Sequence, residues 1–381
     1  MNLFNQIIGL AFNLISLPFG HNSQFDLENS ITKPMQLNAL SPINMLRRAG
    51  LASCRSMLFQ MGENNLKFSF LPKGYCSNCC PLRADRDVRF VLYNRRHRTS
   101  GVPVEPYNEA GAASRAGLDV NASTVVFIHG FTEPSPGESG TAIVDAYLSR
   151  PEPYNVILVD WSDLGAFPWY RTAVQNVKLV GTLLKEFIET FHSSGELNVG
   201  TLHVVGFSLG CHIASHAGKQ LKGVKLPRIT ALDPAFPEFS LEDPSKRLTQ
   251  SDAEYIDVIH TDGGVLGFPL AIGHADFYPN GGRALQPGCQ PSYLVQLRLI
   301  DQVLACSHVR AWRLYAESVR NPTAFPATRC KSWRGTSRQC NFTQDAFMGF
   351  GCNKTTRGQY YLLTKHKSPY SKTVAEQTVV K

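Results

Sequence analysis

Apolar runs of strand length alternate with helix-like stretches through the middle of the chain, and this alternation restricts the fold more than any other feature. Helix-like patterns over 171–192 and 209–221 separate the central members of a series of strand-like runs at 123–129, 154–161, 201–207, 228–233 and 253–260. Strands that alternate with helices are typical of a parallel sheet covered by helices. The sequence therefore predicts an α/β fold with a mostly parallel central sheet and helices on both faces.

Length and composition set the boundaries around this pattern. The chain has 381 residues, 43% of them hydrophobic, which is enough to bury a large core. We predict one domain over residues 80–375, with its first strand at 88–96. Residues 21–79 are rich in Asn and Ser and show no sustained period, which predicts a poorly ordered N-terminal extension.

The N-terminus contains an apolar run at 7–17, followed by Pro18 and Gly20, but no Lys or Arg precedes the run. Its length is that of the apolar centre of a signal peptide, and it is too short to span a bilayer alone. A signal peptide over residues 1–20 is favoured over a buried helix or an interfacial anchor.

Charge and cysteine content indicate the class of protein. The net charge of +8 is spread over the chain without a basic-aromatic stripe, so weak attraction to anionic lipid or glycan is expected and nucleic-acid binding is not. The chain has ten cysteines and three glycosylation sequons, at Asn121, Asn341 and Asn353, which favour a secreted, extracellular protein. For the group Cys76, Cys79 and Cys80, disulfides are favoured over a metal site.

A serine between two glycines marks the candidate nucleophile. The pattern Gly206-Phe207-Ser208-Leu209-Gly210 fits the Gly-x-Ser-x-Gly elbow, and it lies between a predicted strand and a predicted helix, as an elbow requires. The alternative is a plain strand-to-helix turn, and the context favours the nucleophile.

A serine nucleophile needs a base, and the base needs an acid that holds its tautomer. Hydrolases with this elbow have the chain order Ser, acid, His. Asp233 ends the strand that follows the elbow, and His308, predicted in a loop before an amphipathic helix, completes the order. Other histidines are interpreted as structural or solvent-facing, or as too close to the acid: His203, His212, His216 and His260.

The same chemistry needs two backbone amides that stabilise an oxyanion. We expect one from Leu209, directly after the nucleophile. The other is expected from Phe131, in the loop "FIHGF" after an earlier strand, where the side chain of His129 is interpreted as holding its own loop.

A series of motifs resembles the pancreatic lipase family, with insect neutral lipases and phospholipases A1 closest in style. The resemblance covers about residues 80–370 and rests on "FIHGF", "VDWS", "GFSLG", "LDPA", "DVIHTD", "DFYPNGG", "PGC" and "CSHVRAW", in this order. It implies an α/β-hydrolase domain that cleaves acyl esters of glycerolipids. In it, Ser208 would be the nucleophile, Asp233 the orienting acid and His308 the general base.

Three departures from the digestive lipases of this family affect the interpretation. The sequence ends soon after Tyr370, so we expect neither the family's C-terminal β-sandwich nor a colipase-like partner. The loop 263–272 is short, and Cys289 and Cys306 match the pair that closes the family's lid; loops shortened in this way accompany phospholipid or galactolipid substrates in the family. The segment 243–252 matches the family's calcium segment at Arg247 and Asp252, but Thr249 and Pro244 replace acidic ligands, so no metal and no cofactor is predicted.

The resemblance also bears on the remaining cysteines. Cys330 and Cys340 match a further family disulfide, and Cys211 is expected to be a buried free thiol. The sequence leaves open the pairing of Cys54, Cys76, Cys79, Cys80 and Cys352.

The predicted function is hydrolysis of carboxylic esters by a serine enzyme that releases fatty acids from glycerolipids at a membrane or lipid-droplet interface. Loop lengths favour phospholipase A1 activity, with triacylglycerol lipase activity as the alternative. A catalytically inactive lipid-binding or yolk-type storage protein is the alternative of another class, and it is disfavoured because the serine, acid and histidine are all present.

Overall fold

The computed structural model describes residues 54–61, 64–76, 79–105, 111–289, 299–330, 333–334, 337–338 and 342–378. The strands of this part of the chain are β1 (Met57–Met61), β2 (Asn64–Phe68), β3 (Arg89–Tyr93), β4 (Val102–Pro103), β5 (Ser123–Ile128), β6 (Tyr154–Asp160), β7 (His203–Phe207), β8 (Arg228–Leu232), β9 (Ile256–Ile259), β10 (Ala275–Pro279), β11 (Pro326–Ala327), β12 (Trp333–Arg334), β13 (Ser337–Arg338), β14 (Ala346–Phe347) and β15 (Gly358–Leu362). The helices are α1 (Ala84–Asp87), α2 (Ala112–Arg115), α3 (Glu138–Leu148), α4 (Tyr170–Ser193), α5 (Leu209–Gln220), α6 (Leu299–Arg320) and α7 (Val374–Thr378).

One large sheet organises the domain, with the described strand order β15-β10-β9-β8-β7-β5-β6-β3-β4. Its strands are parallel from β15 to β6, and the last two pairings, of β6 with β3 and of β3 with β4, are antiparallel. β7 pairs with β5 on one side and β8 on the other, with Ile128 opposite Gly206 and Phe207 opposite Leu232. The carboxyl ends of these three strands therefore lie side by side at one edge of the sheet, where open α/β sheets place their functional groups.

The two faces of the sheet carry separate hydrophobic cores, and successive residues of β5 alternate between them. Val126 and Ile128 belong to the core that includes α4 and α5, whereas Val125 and Phe127 belong to the core that includes α3 and α6. The two-residue period of a strand sends neighbouring side chains to opposite faces. All four are buried, as expected where helices cover both faces.

The sequence prediction of an α/β-hydrolase fold with a mostly parallel sheet is confirmed. The strand-like runs named above correspond to β5 to β9, and the two helix-like stretches to α4 and α5. Two features differ from the expectations. Part of the predicted N-terminal extension forms the hairpin β1–β2, and His308 lies inside α6 rather than in a loop before a helix.

The hairpin is held in place by backbone hydrogen bonds from its second strand and the residue after it to two loops of the domain. The amide of Lys67 donates to the carbonyl of Thr132, and the amide of Ser69 donates to the carbonyl of Phe167. These bonds give partners to backbone groups in and next to β2. The composition of the segment does not predict them, because the partners lie far away in the sequence. The first 53 residues, including the predicted signal peptide, lie outside the described part of the chain.

Three disulfides lie within the described residues, and they join Cys54 to Cys80, Cys76 to Cys79 and Cys289 to Cys306. The predicted pairing of Cys289 with Cys306 and the disulfide interpretation of the group at 76–80 are confirmed. Cys330 is also disulfide-bonded, whereas Cys340 lies outside the described residues. The buried free thiols are Cys352 and, as predicted, Cys211.

Within the described part of the chain, none of the helices combines the length and the apolarity that crossing a bilayer requires.

Candidate active site

Ser208 occupies a strained turn between β7 and α5. Its φ is 56° and its ψ is −119°, a conformation that residues with a side chain rarely adopt. The turn is held from both sides, because the Ser208 amide donates to the Leu232 carbonyl at 3.0 Å and its carbonyl accepts from the Ala235 amide at 3.3 Å. The serine is thereby fixed at the sheet edge, where it remains 7% exposed.

Close contacts explain why glycines flank the serine. A Cβ atom on Gly206 would lie 2.5 Å from the Gly210 carbonyl oxygen. A Cβ atom on Gly210 would lie 2.9 Å from the carbonyl carbon of Ile128, at the end of β5. The turn can therefore form at this place only if neither position carries a side chain.

We expect Gly210→Ala to destabilise the fold, because the added methyl group meets the backbone of β5, which cannot move aside as a side chain can. Overpacking of this kind costs about 1–3 kcal/mol, which corresponds to a fall in Tm of roughly 2–10 °C for a domain of this size. Calorimetry of the purified variant measures the loss. The control is Gly200→Ala, which has no left-handed φ and where the atom nearest to an added Cβ is a side-chain oxygen, Oδ1 of Asn198 at 3.2 Å. A Gly210→Ala protein as stable as this control would contradict the steric argument.

Asp233 and His308 form a buried hydrogen-bonded pair. Asp233 lies just after β8 and is fully buried, and its Oδ2 accepts a hydrogen bond of 2.6 Å from Nδ1 of His308 in α6. The other oxygen, Oδ1, accepts from the amides of Thr261 at 2.8 Å and Asp262 at 3.1 Å. A carboxylate only accepts, so Nδ1 carries the proton and Nε2 of His308 is left as a base.

The pair lies beside the elbow. The ring of His308 packs against that of Phe207, the residue before the serine, with centroids 4.8 Å apart. Ser208 and Asp233 follow adjacent, hydrogen-bonded strands, and the turn after Asp233 donates back to Ser208 through Ala235. The structure therefore gathers the three predicted residues at one sheet edge, and their catalytic roles stay predictions.

The segments that carry the two amides predicted for the oxyanion also meet at the elbow. Leu209 is the first residue of α5, and the amides of a helix's first turn have no carbonyl partner within the helix. A Cβ atom on Gly130 would lie 3.1 Å from Cβ of Ser208, so the loop that carries Phe131 packs directly on the serine. The ring of Phe131 packs edge-on against that of Tyr170, with centroids 5.1 Å apart.

Four further histidines, buried or half-buried, have structural partners. His129 donates from Nδ1 to the Gly130 carbonyl at 2.8 Å, and its Nε2 accepts from the Trp161 amide at 3.3 Å. His260 lies between the carbonyl of Phe268 and the carboxylate of Asp276, at 3.1 and 2.8 Å. His203 and His212 bond Thr230 and the Ala235 carbonyl, respectively.

A second acid, Asp262, lies beside the pair and has no role in the sequence prediction. It is buried, its Oδ2 accepts from the Leu266 amide at 3.2 Å, and its Oδ1 has no hydrogen-bond partner in the structure. Burial, together with the charge of Asp233, raises the pKa of Asp262 to about 8. The only sequence signal for it is its place two residues after His260, at the end of a buried strand.

Ligand atoms of Asp233, Asp262 and His308 lie within 4.8 Å of one another, close enough for a metal ion to bridge them. Two of these atoms, Nδ1 of His308 and Oδ2 of Asp233, are instead hydrogen-bonded directly to each other at 2.6 Å. This cluster is therefore better described as an acid–histidine pair with a neighbouring acid of raised pKa than as a metal site.

We expect Asp262→Asn to stabilise the protein increasingly as pH rises. The folded state raises the pKa of Asp262 to about 8, so between about pH 4 and pH 8 the folded protein binds more protons than the unfolded chain. The free energy of unfolding of the wild type therefore falls as pH rises through this window, whereas asparagine does not titrate. Thermal unfolding at about pH 5 and about pH 8.5 should show a Tm difference between the proteins that widens by ~2 °C or more. A constant difference would show that Asp262 is ionised in the folded protein throughout the range.

The calcium segment implied by the resemblance does not fit a calcium ion. Asp252 is fully buried, and its oxygens accept hydrogen bonds from Thr249 and Ser215. An ammonium group, that of Lys219, already contacts the segment's carbonyl oxygens.

Comparison with known proteins places these features in a family. The family model named Lipase matches residues 77–370 of the chain. This chain belongs to the pancreatic lipase family. Among its curated relatives in this family, pancreatic triacylglycerol lipase of Sus scrofa is 35% identical over 270 residues, which are 67% of this chain and 59% of the relative. The Homo sapiens protein of that name is 36% identical over 270 residues, covering 67% and 57%, and lipase member H of Rattus norvegicus is 36% identical over 248 residues, covering 65% and 52%. The chain spans less than two thirds of the length of these relatives.

Proposed function

We propose that this member of the pancreatic lipase family is a serine carboxylic-ester hydrolase that releases fatty acids from glycerolipids. The observation that carries the proposal is the 2.6 Å hydrogen bond between Asp233 and His308, placed beside the strained turn of Ser208. An acid that fixes the tautomer of a histidine next to an elbow serine is the arrangement that activates a weak hydroxyl nucleophile.

In the proposed reaction, Nε2 of His308 takes the proton of the Ser208 hydroxyl while the serine oxygen attacks the ester carbonyl. The amides of Leu209 and Phe131 stabilise the negative oxygen of the tetrahedral intermediate. His308 then gives its proton to the leaving alcohol, and an acyl-enzyme on Ser208 remains. Water, activated by the same histidine, attacks this acyl group and releases the fatty acid.

The substrate we favour is a phospholipid, cleaved as a phospholipase A1 does, with triacylglycerol as the alternative. Support for the phospholipid is the short loop 263–272, which packs against the acid: a Cβ atom on Gly267 would lie 2.6 Å from Cγ of Asp233. Support for triacylglycerol comes from the names of the relatives from Sus scrofa and Homo sapiens. Molecules of both substrates assemble into membranes or droplets in water, so the proposed reaction takes place at a membrane or lipid-droplet interface.

Fatty-acid release measured side by side on phosphatidylcholine vesicles and triolein emulsion decides between these substrates. We expect faster release from phosphatidylcholine. Faster release from triolein, with the same protein preparation and a matched interfacial area, would make the protein a triacylglycerol lipase and leave the esterase proposal intact.

A lipid-binding or storage protein without activity is the alternative of another class. A fluorophosphonate probe separates it from the enzyme, because the probe reacts only with an activated serine hydroxyl. We expect one adduct, on Ser208. An unlabelled Ser208 in folded protein would favour the storage protein.

We also propose that the protein is secreted. Its three described disulfides favour an oxidising compartment, and the sequon residues Asn121 and Asn353 are exposed. Mass spectrometry of protein from the culture medium of an expressing cell, before and after glycosidase treatment, tests both statements.

A further inference from the structure

The ammonium group of Lys219 lies where oxygen atoms of the segment after Asp233 converge. Nζ of Lys219 donates to the carbonyl oxygens of Ser245, at 3.2 Å, and of Arg247, and it lies 3.7 Å from Oδ2 of Asp252. Two carbonyls and a carboxylate are the kind of ligands that a calcium ion takes in proteins. We propose that Lys219 is a built-in cation that takes the place of a structural calcium ion in this segment.

The carboxylate in this group requires a positive partner. Asp252 is fully buried, and its oxygens accept hydrogen bonds from the Thr249 amide at 2.9 Å, the Thr249 hydroxyl at 2.9 Å and the Ser215 hydroxyl at 2.6 Å. These neutral donors orient the carboxylate but leave its charge uncompensated, and an unpaired buried charge is strongly destabilising. Among the described residues, Lys219 is the one whose cationic group forms an ion pair with Asp252.

The other acid of the segment is turned away from this point. Asp243 caps the 3₁₀ turn Pro244–Lys246 by accepting from the Ser245 amide at 3.1 Å, and its Oδ2 pairs with Lys246 at 3.1 Å. A calcium ion would therefore find a single carboxylate, and it would have to displace an ammonium group of like charge. The oxygen atoms of the segment therefore have a positively charged partner without a metal ion.

Lys219 connects two parts of the chain that carry proposed catalytic residues. Lys219 lies in the last turn of α5, the helix that starts directly after Ser208, whereas the segment it contacts continues from Asp233. Ser215 of the same helix also donates to the Arg247 carbonyl, at 3.3 Å, and a Cβ atom on Gly218 would lie 3.2 Å from the carbonyl carbon of Asp252. Lys219 thus fastens the chain that follows the proposed acid to the helix that follows the proposed nucleophile.

Thermal unfolding of the full-length protein in a chelator and in calcium tests the proposal. The Tm of the wild type is expected to agree within about 1 °C between excess EDTA and about 10 mM CaCl₂, because the ammonium fills the place of the ion. Lys219→Ala should lower the Tm in EDTA by about 3–8 °C, since Asp252 loses its charge partner. Calcium should then raise the Tm of this variant by ~2 °C or more, because the oxygens vacated by the ammonium attract a cation.

Two further variants complete the design. Lys219→Arg keeps the charge and should recover at least half of the lost Tm while staying insensitive to calcium. Lys222→Ala, which removes an exposed lysine just beyond the end of the same helix, should leave the Tm and its calcium response unchanged. A wild-type Tm that rises with calcium would overturn the proposal. So would a Lys219→Ala protein whose Tm is lowered but equal in EDTA and in calcium, since that result assigns Lys219 an ordinary ion pair.

Discussion

Ser208→Ala is expected to lower kcat/KM for ester hydrolysis by about 10⁵-fold or more, the largest effect expected of any single substitution in this protein. The hydroxyl forms the covalent bond of the acyl-enzyme, and no other described nucleophile occupies the elbow. Because the hydroxyl acts in the reaction rather than in substrate binding, kcat should fall while KM stays nearly constant. Initial rates on a soluble p-nitrophenyl ester give both constants without the complication of a lipid interface.

The fold should survive this substitution. Alanine has the same Cβ as serine, so it places no new atom in the strained turn, and Ser208 is held there by backbone bonds that the variant keeps. The control is Ser149→Ala, at an exposed position after α3, which should leave turnover unchanged. A well-folded Ser208→Ala protein that retains more than about a hundredth of the wild-type turnover would refute the nucleophile assignment.

Asp233→Asn has the second-largest expected effect, a fall of about 10³–10⁴-fold in kcat. The reason lies in the two oxygens of this carboxylate. Oδ1 accepts from the amides of Thr261 and Asp262, so the single oxygen of an asparagine stays with these donors. Its NH₂ group then points at Nδ1 of His308, which must offer a lone pair instead of a proton. The tautomer of His308 is reversed, Nε2 carries the proton, and it can no longer accept the proton of Ser208.

Asp262→Asn is the matched control for this prediction. Asp262 lies in the same cluster, but its Oδ2 bonds the Leu266 amide and its Oδ1 has no hydrogen-bond partner. We therefore expect its asparagine variant to keep kcat within about tenfold of the wild type, because the substitution changes only the surroundings of Asp233 and not its bond to His308. Equal losses in the two variants, measured as kcat on the soluble ester near neutral pH, would show that His308 does not depend on Asp233 alone.

The local features of the site could be predicted from the sequence because they depend on residues close together in the chain. The elbow needs glycines two positions before and after the serine, and the contacts of Gly206 and Gly210 show the steric reason. Hydrophobic runs identified β5 to β9 for the same kind of reason, since a strand buried on both faces is mostly apolar. The disulfide of Cys289 and Cys306 followed from the family resemblance rather than from such local chemistry.

Contacts between distant residues were harder to predict. His308 was placed in a loop from its local context, but α6 extends over it, and the helix holds the imidazole against Phe207. The hairpin β1–β2 lies in the stretch 21–79, whose Asn and Ser content predicted poor order, yet its backbone bonds to Thr132 and Phe167 order it. In both places, packing against residues far along the chain outweighed the local signal.

The sequence by itself determined the parallel sheet, the strained turn of Ser208 and the order of serine, acid and histidine, because strand periodicity and side-chain-free positions are local requirements. Only the tertiary structure decided which oxygen of Asp233 meets His308, why the pKa of Asp262 is raised, and where the ammonium of Lys219 lies. These outcomes depend on strand register and helix orientation, which bring together side chains up to 75 residues apart. No spacing along the chain specifies the distances at which such groups meet, and those distances set their charges and their hydrogen bonds.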